Sequence, residues 1–213
     1  AGNFGVRRLL IERLAEHGLK PSDVTDVILT HAHHDHSINW PMFSSARVAI
    51  GREELAWAVA QPIGHPLIPE FYVRELAVST QLNEIGAGME VMPGLAAYAA
   101  PGHTPGHLVF VLSGAEHDII FTGDAAKNRA EILSREADMT MNADDSRRTI
   151  ELVWELWRRR PGSIVVPGHD VPMRLDNGVL PVQGPPGTGK TYTGAQVVAA
   201  LLAAGKRVGV TST

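Results

Sequence analysis

Four histidines fall within six residues in the run His31-Ala32-His33-His34-Asp35-His36, out of ten in the whole chain. Further on come His103 and His107 in Pro101-Gly102-His103-Thr104-Pro105-Gly106-His107, then Asp124 after Phe121-Thr122-Gly123, then His169 after Pro167-Gly168. Imidazole and carboxylate are ligands for zinc and other borderline divalent ions. The chain has no cysteine. That excludes disulfides, thiolate nucleophiles and thiolate metal sites together, so any metal must be held by His, Asp or Glu. His31, His33, Asp35, His36, His103, Asp124 and His169 are enough donors for two ions. Two ions ~3.5–4 Å apart can share a bridging hydroxide and clamp the oxygens of a reacting group. Metal binding lowers the pKa of water toward ~7, which makes hydroxide available at neutral pH. A core without metal would not gather imidazoles and carboxylates in this way. His17, His65 and His117 stand alone and read as ordinary polar residues. His34 and His107 read as supporting rather than ligating.

These side chains need elements to carry them. Residues 24–30 read as a buried strand running directly into His31. Residues 95–100, 107–113, 118–123 and 163–168 read as further strands, and His103, Asp124 and His169 each follow a strand end. In open α/β sheets, sites form beyond the carboxyl ends of strands. Residues 46–50 suggest another strand, and 51–60 a helix after it. Residues 4–17 suggest a helix with Val6, Leu9, Leu10 and Leu14 on one face. Residues 144–159 suggest a second long helix, with Asp144, Asp145 and Ser146 offered as caps and Ile150, Val153, Trp154 and Trp157 as its apolar stripe. The Pro-rich stretch 61–70 reads as a loop. Trp40, Phe43 and Tyr72 could line a pocket, with core packing the commoner role. The class is α/β, with helices alternating against strands.

In this order the four motifs, H-x-H-x-D-H, PGHTPGH, FTGD and PGHD, resemble the metallo-β-lactamase superfamily over about residues 1–175. The resemblance implies an αββα sandwich. It implies a first metal held by His31, His33 and His103, and a second by Asp35, His36 and His169. Asp124 would bridge both, and His34 fills a non-ligand position. Lactam-hydrolysing members of the commonest class place a cysteine at the second metal, which is absent here. A bridging Asp is similar to the glyoxalase II, lactonase and ribonuclease Z-like groups. Flavodiiron relatives have Glu where His33 stands, which disfavours an iron redox role, while a mono-iron sulfur dioxygenase stays open. Only 44 residues separate Asp124 from His169, too few for the large inserted domain of the nucleic-acid-processing branch. The implied activity is di-zinc hydrolysis of an ester, thioester or lactone, with Asp35 shuttling a proton and Asp124 at the catalytic centre. Phosphodiesters fit the same clamp. Lys127, Asn128 and Arg129 either touch an anionic substrate or form a solvated loop. The resemblance also implies strands preceding the first helix, about a quarter of the fold, before a sequence that opens at Ala1-Gly2-Asn3. That predicts marginal stability and a need for metal in folding.

Composition shifts near Asp176. The expected division is 1–176, the hydrolase-like domain, and 177–213, a strand–P-loop–helix–strand unit. Gly184-Pro185-Pro186-Gly187-Thr188-Gly189-Lys190-Thr191 is a full G-x-x-x-x-G-K-T. Gly184, Gly187 and Gly189 let backbone N–H groups cradle phosphates, Lys190 neutralises charge, and Thr191 can ligate Mg²⁺. Residues 179–213 resemble the first motif of superfamily 1 helicases, so ATP with Mg²⁺ is the implied ligand. No Walker-B acid follows, so ATP binding rather than turnover is expected. Net charge is −4, which advertises no broad nucleic-acid surface and leaves a small molecule as the expected substrate. No apolar run reaches the ~18–20 residues of a membrane span, and no signal peptide opens the chain, so a cytoplasmic protein is expected.

Overall fold

The computed structural model describes residues 2–174, with side chains from residue 7 onward. The Gly184–Thr191 motif and the division at 176/177 lie outside the described residues.

Among the described residues, nine strands form two sheets. The first is parallel, in the order β1 (Asp26–Ile28), β2 (Arg47–Gly51), β3 (Leu82–Ile85). The second follows chain order through β4 (Glu90–Met92), β5 (Leu95–Ala99), β6 (Leu108–Ser113), β7 (Asp118–Gly123), β8 (Ile164–Pro167) and β9 (Met173–Arg174). It is antiparallel except where β7 pairs parallel with β8. The connection between those two strands carries α5 (Arg129–Ser134) and α6 (Ala143–Arg159), the crossover that a parallel pair needs.

Side-chain alternation along the strands builds the layers. On β6, Leu108 and Phe110 point toward the first sheet and pack with Ala49, Ile85, Leu95 and Ala97. Val109 and Val111 point the other way, onto Ile150, Val153, Trp154 and Trp157 of α6. On β2, Val48 and Ile50 face Leu55 of α3 (Arg52–Val59) and Val73 and Leu76 of α4 (Glu70–Ala77). The result is helix, sheet, sheet, helix. Each fully buried Val, Leu or Ile contributes roughly 1.5–3 kcal/mol of hydrophobic stabilisation.

Several sequence expectations change in detail. The helix at the start, α1 (Gly2–Glu16), forms but does not enter the core: Leu9 is 50% exposed and Leu10 only half-buried. Arg7 ties it down through Asn39 Oδ1 and the Ile38 carbonyl. The cap of α6 is Asn142, whose Oδ1 accepts from the Asp144 and Asp145 N–H groups. Asp144 and Asp145 lie inside the first turn, where carboxylates favour the helix dipole. Trp40 and Phe43 are buried packing residues, and the Trp40 indole donates to the Tyr72 carbonyl. The stretch 61–70 is a loop up to Glu70, which opens α4. Helices α4 and α5 and strands β3, β4 and β9 are additions that the sequence patterns did not isolate.

Candidate metal centre

Four strand ends deliver the seven candidate ligands to one side of the sandwich. After β1, Thr30 carries the chain to His31, and the Leu108 N–H donates to the Thr30 carbonyl, joining the two sheets at this point. His33 precedes a single helical turn, α2 (His34–Ser37). The Ser37 hydroxyl lies 2.9 Å from both the Ala32 and His33 carbonyls and closes the loop beneath the histidines. This turn points Asp35 and His36 the same way as His31 and His33. His103 follows β5, Asp124 follows β7 and His169 follows β8.

The side chains converge in three overlapping groups whose ligand atoms lie within 4.8 Å of one another: His31, His33 and His103; His31, His36 and Asp124; Asp35, His36 and His169. The first and third are the two triads expected from the sequence, and Asp124 stands between them. Its Oδ2 is 3.3 Å from His103 Nε2. Its Oδ1 is 3.2 Å from both His36 Nε2 and His169 Nε2. Asp35 Oδ2 lies 3.4 Å from His36 Nε2 and 3.3 Å from His169 Nε2. Yet His31 Nε2, His33 Nε2, His36 Nε2 and Asp124 Oδ1 are buried without a hydrogen-bond partner. Four ligands on one tetrahedral zinc, bonded at ~2.0–2.1 Å, stand roughly 3.3 Å apart. His36 Nε2 and Asp124 Oδ1, 3.2 Å apart and each without a hydrogen-bond partner, fit a shared cation.

The ring tautomers agree with this. His103 Nδ1 is 3.1 Å from the Met139 carbonyl. A carbonyl only accepts, so Nδ1 carries the proton and Nε2 presents a lone pair. His103 Nε2 then faces His33 Nδ1 at 2.9 Å. Burial holds His31 well below its ordinary pKa, lowers His33 to about 4 and lowers His103 as well. These imidazoles are therefore neutral, as ligation requires. His36 differs. Burial opposes its charge, but the Asp124 and Asp35 carboxylates outweigh burial and raise it to about 9. Burial would raise Asp124, yet His36, His103 and His169 hold it low, and the contact with His36 holds Asp35 lower still.

Glycines let the loops approach this closely. A Cβ on Gly168 would sit 2.3 Å from Asp124 Oδ1. Gly123, at φ +49°, has no room for one beside Thr30. The fully buried His107 stacks on His31, and its Nε2 accepts the Asp124 N–H. Burial lowers His107 to about 3, so it stays a neutral acceptor. His17, His65 and His117 join none of the three groups, and neither does His34. Lys127 is spent elsewhere: its ammonium pairs with Glu131 at 2.7 Å and donates to the Asp138 carbonyl. Asn128 caps α5, and the Arg129 N–H donates to Asp170. Sequence reasoning passed over Glu54, whose buried carboxylate joins two ligand loops. Its position four residues before the buried Ala58, on the inward face of α3, was the available signal.

The family model described as "Metallo-beta-lactamase superfamily" matches residues 1–169. The chain belongs to this superfamily. The match ends before the Gly184–Thr191 motif. Superfamily relatives include "Metallo-beta-lactamase domain-containing protein 1" of Xenopus laevis, 26% identical over 79% of this chain and 64% of its own length. They also include an N-acyl homoserine lactonase of Bacillus thuringiensis, 25% identical over 81% of this chain and 66% of its own length. The chain thus spans just under two thirds of each relative's length. Among solved structures, an N-acyl homoserine lactone hydrolase with product bound at its catalytic metal centre superposes with a TM-score of 0.63, at 20% identity over 76% of this chain and 62% of that one. A dizinc quorum-quenching lactonase superposes with a TM-score of 0.64, at 18% identity over 83% and 70%. These likenesses establish the sandwich fold, and among the described residues no helix is long and apolar enough to cross a membrane.

Proposed function

We propose that the chain is a di-zinc hydrolase acting on a small molecule with an ester, thioester or lactone bond. His31, His33 and His103 would hold one ion, Asp35, His36 and His169 the other, and Asp124 would reach both. The carrying observation is the set of 3.2–3.4 Å gaps around Asp124 and Asp35 between donor atoms. When bound, two such ions supply Lewis-acid polarisation of a carbonyl and ionised water at neutral pH. The protein's own groups do the rest. Asp124, held by His107, fixes the spacing of the two triads. Asp35 is the more exposed carboxylate, 57% accessible against 6% for Asp124. It stands at the mouth, where it can relay a proton to solvent.

The rim favours an apolar acyl or ring substituent. Leu67, whose carbonyl accepts the His34 N–H, and Met139, whose carbonyl accepts from His103, are both exposed. Val171, two residues beyond His169, is exposed as well. With Lys127 engaged by Glu131, the observations favour a carbonyl substrate over a phosphodiester. The lactonase relatives support the same reading. The test is zinc content of the purified full chain alongside a panel of esters, thioesters, lactones and phosphodiesters, before and after chelation, with Asp124→Ala as control. Two equivalents of zinc with chelator-sensitive carbonyl hydrolysis are expected. Turnover that survives chelation, or is confined to phosphodiesters, overturns the proposal.

For residues 177–213, the Gly184–Thr191 motif itself favours a phosphate-binding role with Mg²⁺-ATP as ligand. Fluorescent ATP binding that Lys190→Ala abolishes is the expected result, and no binding by the full chain refutes it.

A further inference from the structure

The first triad depends on two loops whose nearest shared backbone hydrogen bond lies outside them, from the Leu108 N–H to the Thr30 carbonyl. His31 and His33 flank Ala32, while His103 precedes Thr104, Pro105 and Gly106. Between these loops sits the Glu54 carboxylate, fully buried on the first turn of α3. Its Oε1 accepts the Ala32 N–H at 2.9 Å. Its Oε2 accepts the Thr104 hydroxyl at 2.7 Å and the Gly106 N–H at 3.1 Å. Gly106 allows the approach: a Cβ there would lie 2.1 Å from the Glu54 nitrogen. The three partners are neutral donors. A buried carboxylate is costly unless its lone pairs are satisfied, and these three donors satisfy them while fixing the loops to one helix.

We propose that Glu54 is the positioning residue of the first triad: one carboxylate that clamps the His31–His33 loop to the His103 loop and thereby sets the geometry of one metal site and not the other. No residue of the second triad bonds to Glu54, whose partners are Ala32, Thr104 and Gly106; Asp35 and His36 stand one turn further on, in α2, and His169 follows β8. The inference rests on reading His31, His33 and His103 as metal ligands. Glutamine cannot replace Glu54. Whichever way its amide turns, the NH₂ group faces a backbone N–H, either that of Ala32 or that of Gly106. Aspartate is one methylene too short to meet both loops from the same backbone position.

The measurement is a competitive zinc titration of the full chain against a chromophoric chelator, which reads each equivalent separately from turnover. The wild-type chain takes up two equivalents. Glu54→Gln weakens one of them by about 10–100-fold, the usual consequence of losing a partner that orients a ligand, and leaves the other unchanged. Thr104→Val weakens the same equivalent by less, and Thr104→Ser, which keeps the hydroxyl, restores it. In a His169→Ala background, where the first triad is complete, the tighter remaining equivalent carries the whole effect. Ile120→Val, a core change in β7 away from both loops, moves neither equivalent. Two equivalents of wild-type affinity in Glu54→Gln would overturn the proposal. So would equal weakening of both, which marks general destabilisation. If Glu54→Gln fails to fold, the Thr104 pair decides: valine behaving like wild type sinks the clamp. No zinc uptake by the wild-type chain would instead remove the metal reading on which the clamp stands.

Discussion

Asp124 meets one triad through Oδ2 and the other through Oδ1, so its two oxygens do different work at nearly the same distance. Asp124→Asn keeps the volume but replaces one oxygen by an NH₂ that cannot ligate. One zinc equivalent should be lost and turnover should fall by more than ~100-fold, beyond the range seen when only an orienting partner is removed. Metal analysis and steady-state kinetics check both. Lys127 makes the opposite case. It sits three residues from Asp124 and looks like an anion-binding side chain in the sequence. Its ammonium and Glu131 are nearly buried together, and Glu131 also accepts the Lys127 and Asp138 N–H groups. Lys127→Met should therefore cost about 3 kcal/mol of stability by stranding a buried carboxylate, with KM little changed. A large rise in KM with unaltered stability would show that the ammonium faces substrate.

At the scale of elements, the centre depends on how closely strand-end loops can meet. The Gly168 N–H donates to the Gly123 carbonyl and the His169 N–H to the Lys127 carbonyl, which ties the loop after β8 to the loop after β7. In Gly168→Ala the new methyl would collide with Asp124 Oδ1 and with the backbone of Gly123. The expected outcome is loss of zinc binding out of proportion to any fall in Tm. Retention of both zinc equivalents would show that the loop can give way without cost to the site. Helix α6 is the other decisive element. It places Ser146 against Gly102, and the Thr149 hydroxyl donates to the Pro101 carbonyl, just before His103. Its cap is a single residue, so Asn142→Ala should destabilise the chain by about 1 kcal/mol in chemical denaturation.

Across the whole molecule, the buried imidazoles set the pH dependence of the metal-free chain. The pKa of His33 is about 4 when folded and 6.5 when free, so the unfolded chain takes up its proton first as pH falls. Stability from this residue is present above about pH 6.5 and is lost as pH drops toward 4. His31, His103 and His107 act in the same direction. His36, raised to about 9, acts oppositely, stabilising below pH 6.5 and losing that contribution as pH rises through 9. The metal-free chain should be most stable near neutral pH, with the steeper loss on the acid side. Denaturant midpoints measured from pH 4 to 9 test this, and stability that rises from pH 6.5 to 4 contradicts it. Ligands that bind only the folded state raise the melting temperature, so zinc should stabilise the chain most where these imidazoles are unprotonated.

The candidate ligands were legible in the sequence because they are rare residue types at strand ends, and strand ends are marked by apolar runs that stop at Gly, Pro or Thr. His31, His103, Asp124 and His169 each follow such a stop, and the apolar run 107–113 was legible as a strand. The periodicity at the start of the chain gave the helix but not its placement: Leu9 and Leu10 share a face, yet Leu9 is exposed and Leu10 only half-buried. Partner choice is what periodicity does not carry. Lys127 with Glu131 and Asn142 with the first turn of α6 are pairs a few residues apart that the sequence patterns passed over, whereas nothing local assigned Glu54 to the gap between Ala32 and Gly106. The Glu54 pairing depends on which loops the two sheets bring within about 3 Å, and that distance is set by packing between residues far apart in the chain. The sequence alone determined which atoms could grip metal. The tertiary structure decided their tautomers, their charges and the braces that hold them, because each follows from neighbours that only the folded sandwich supplies.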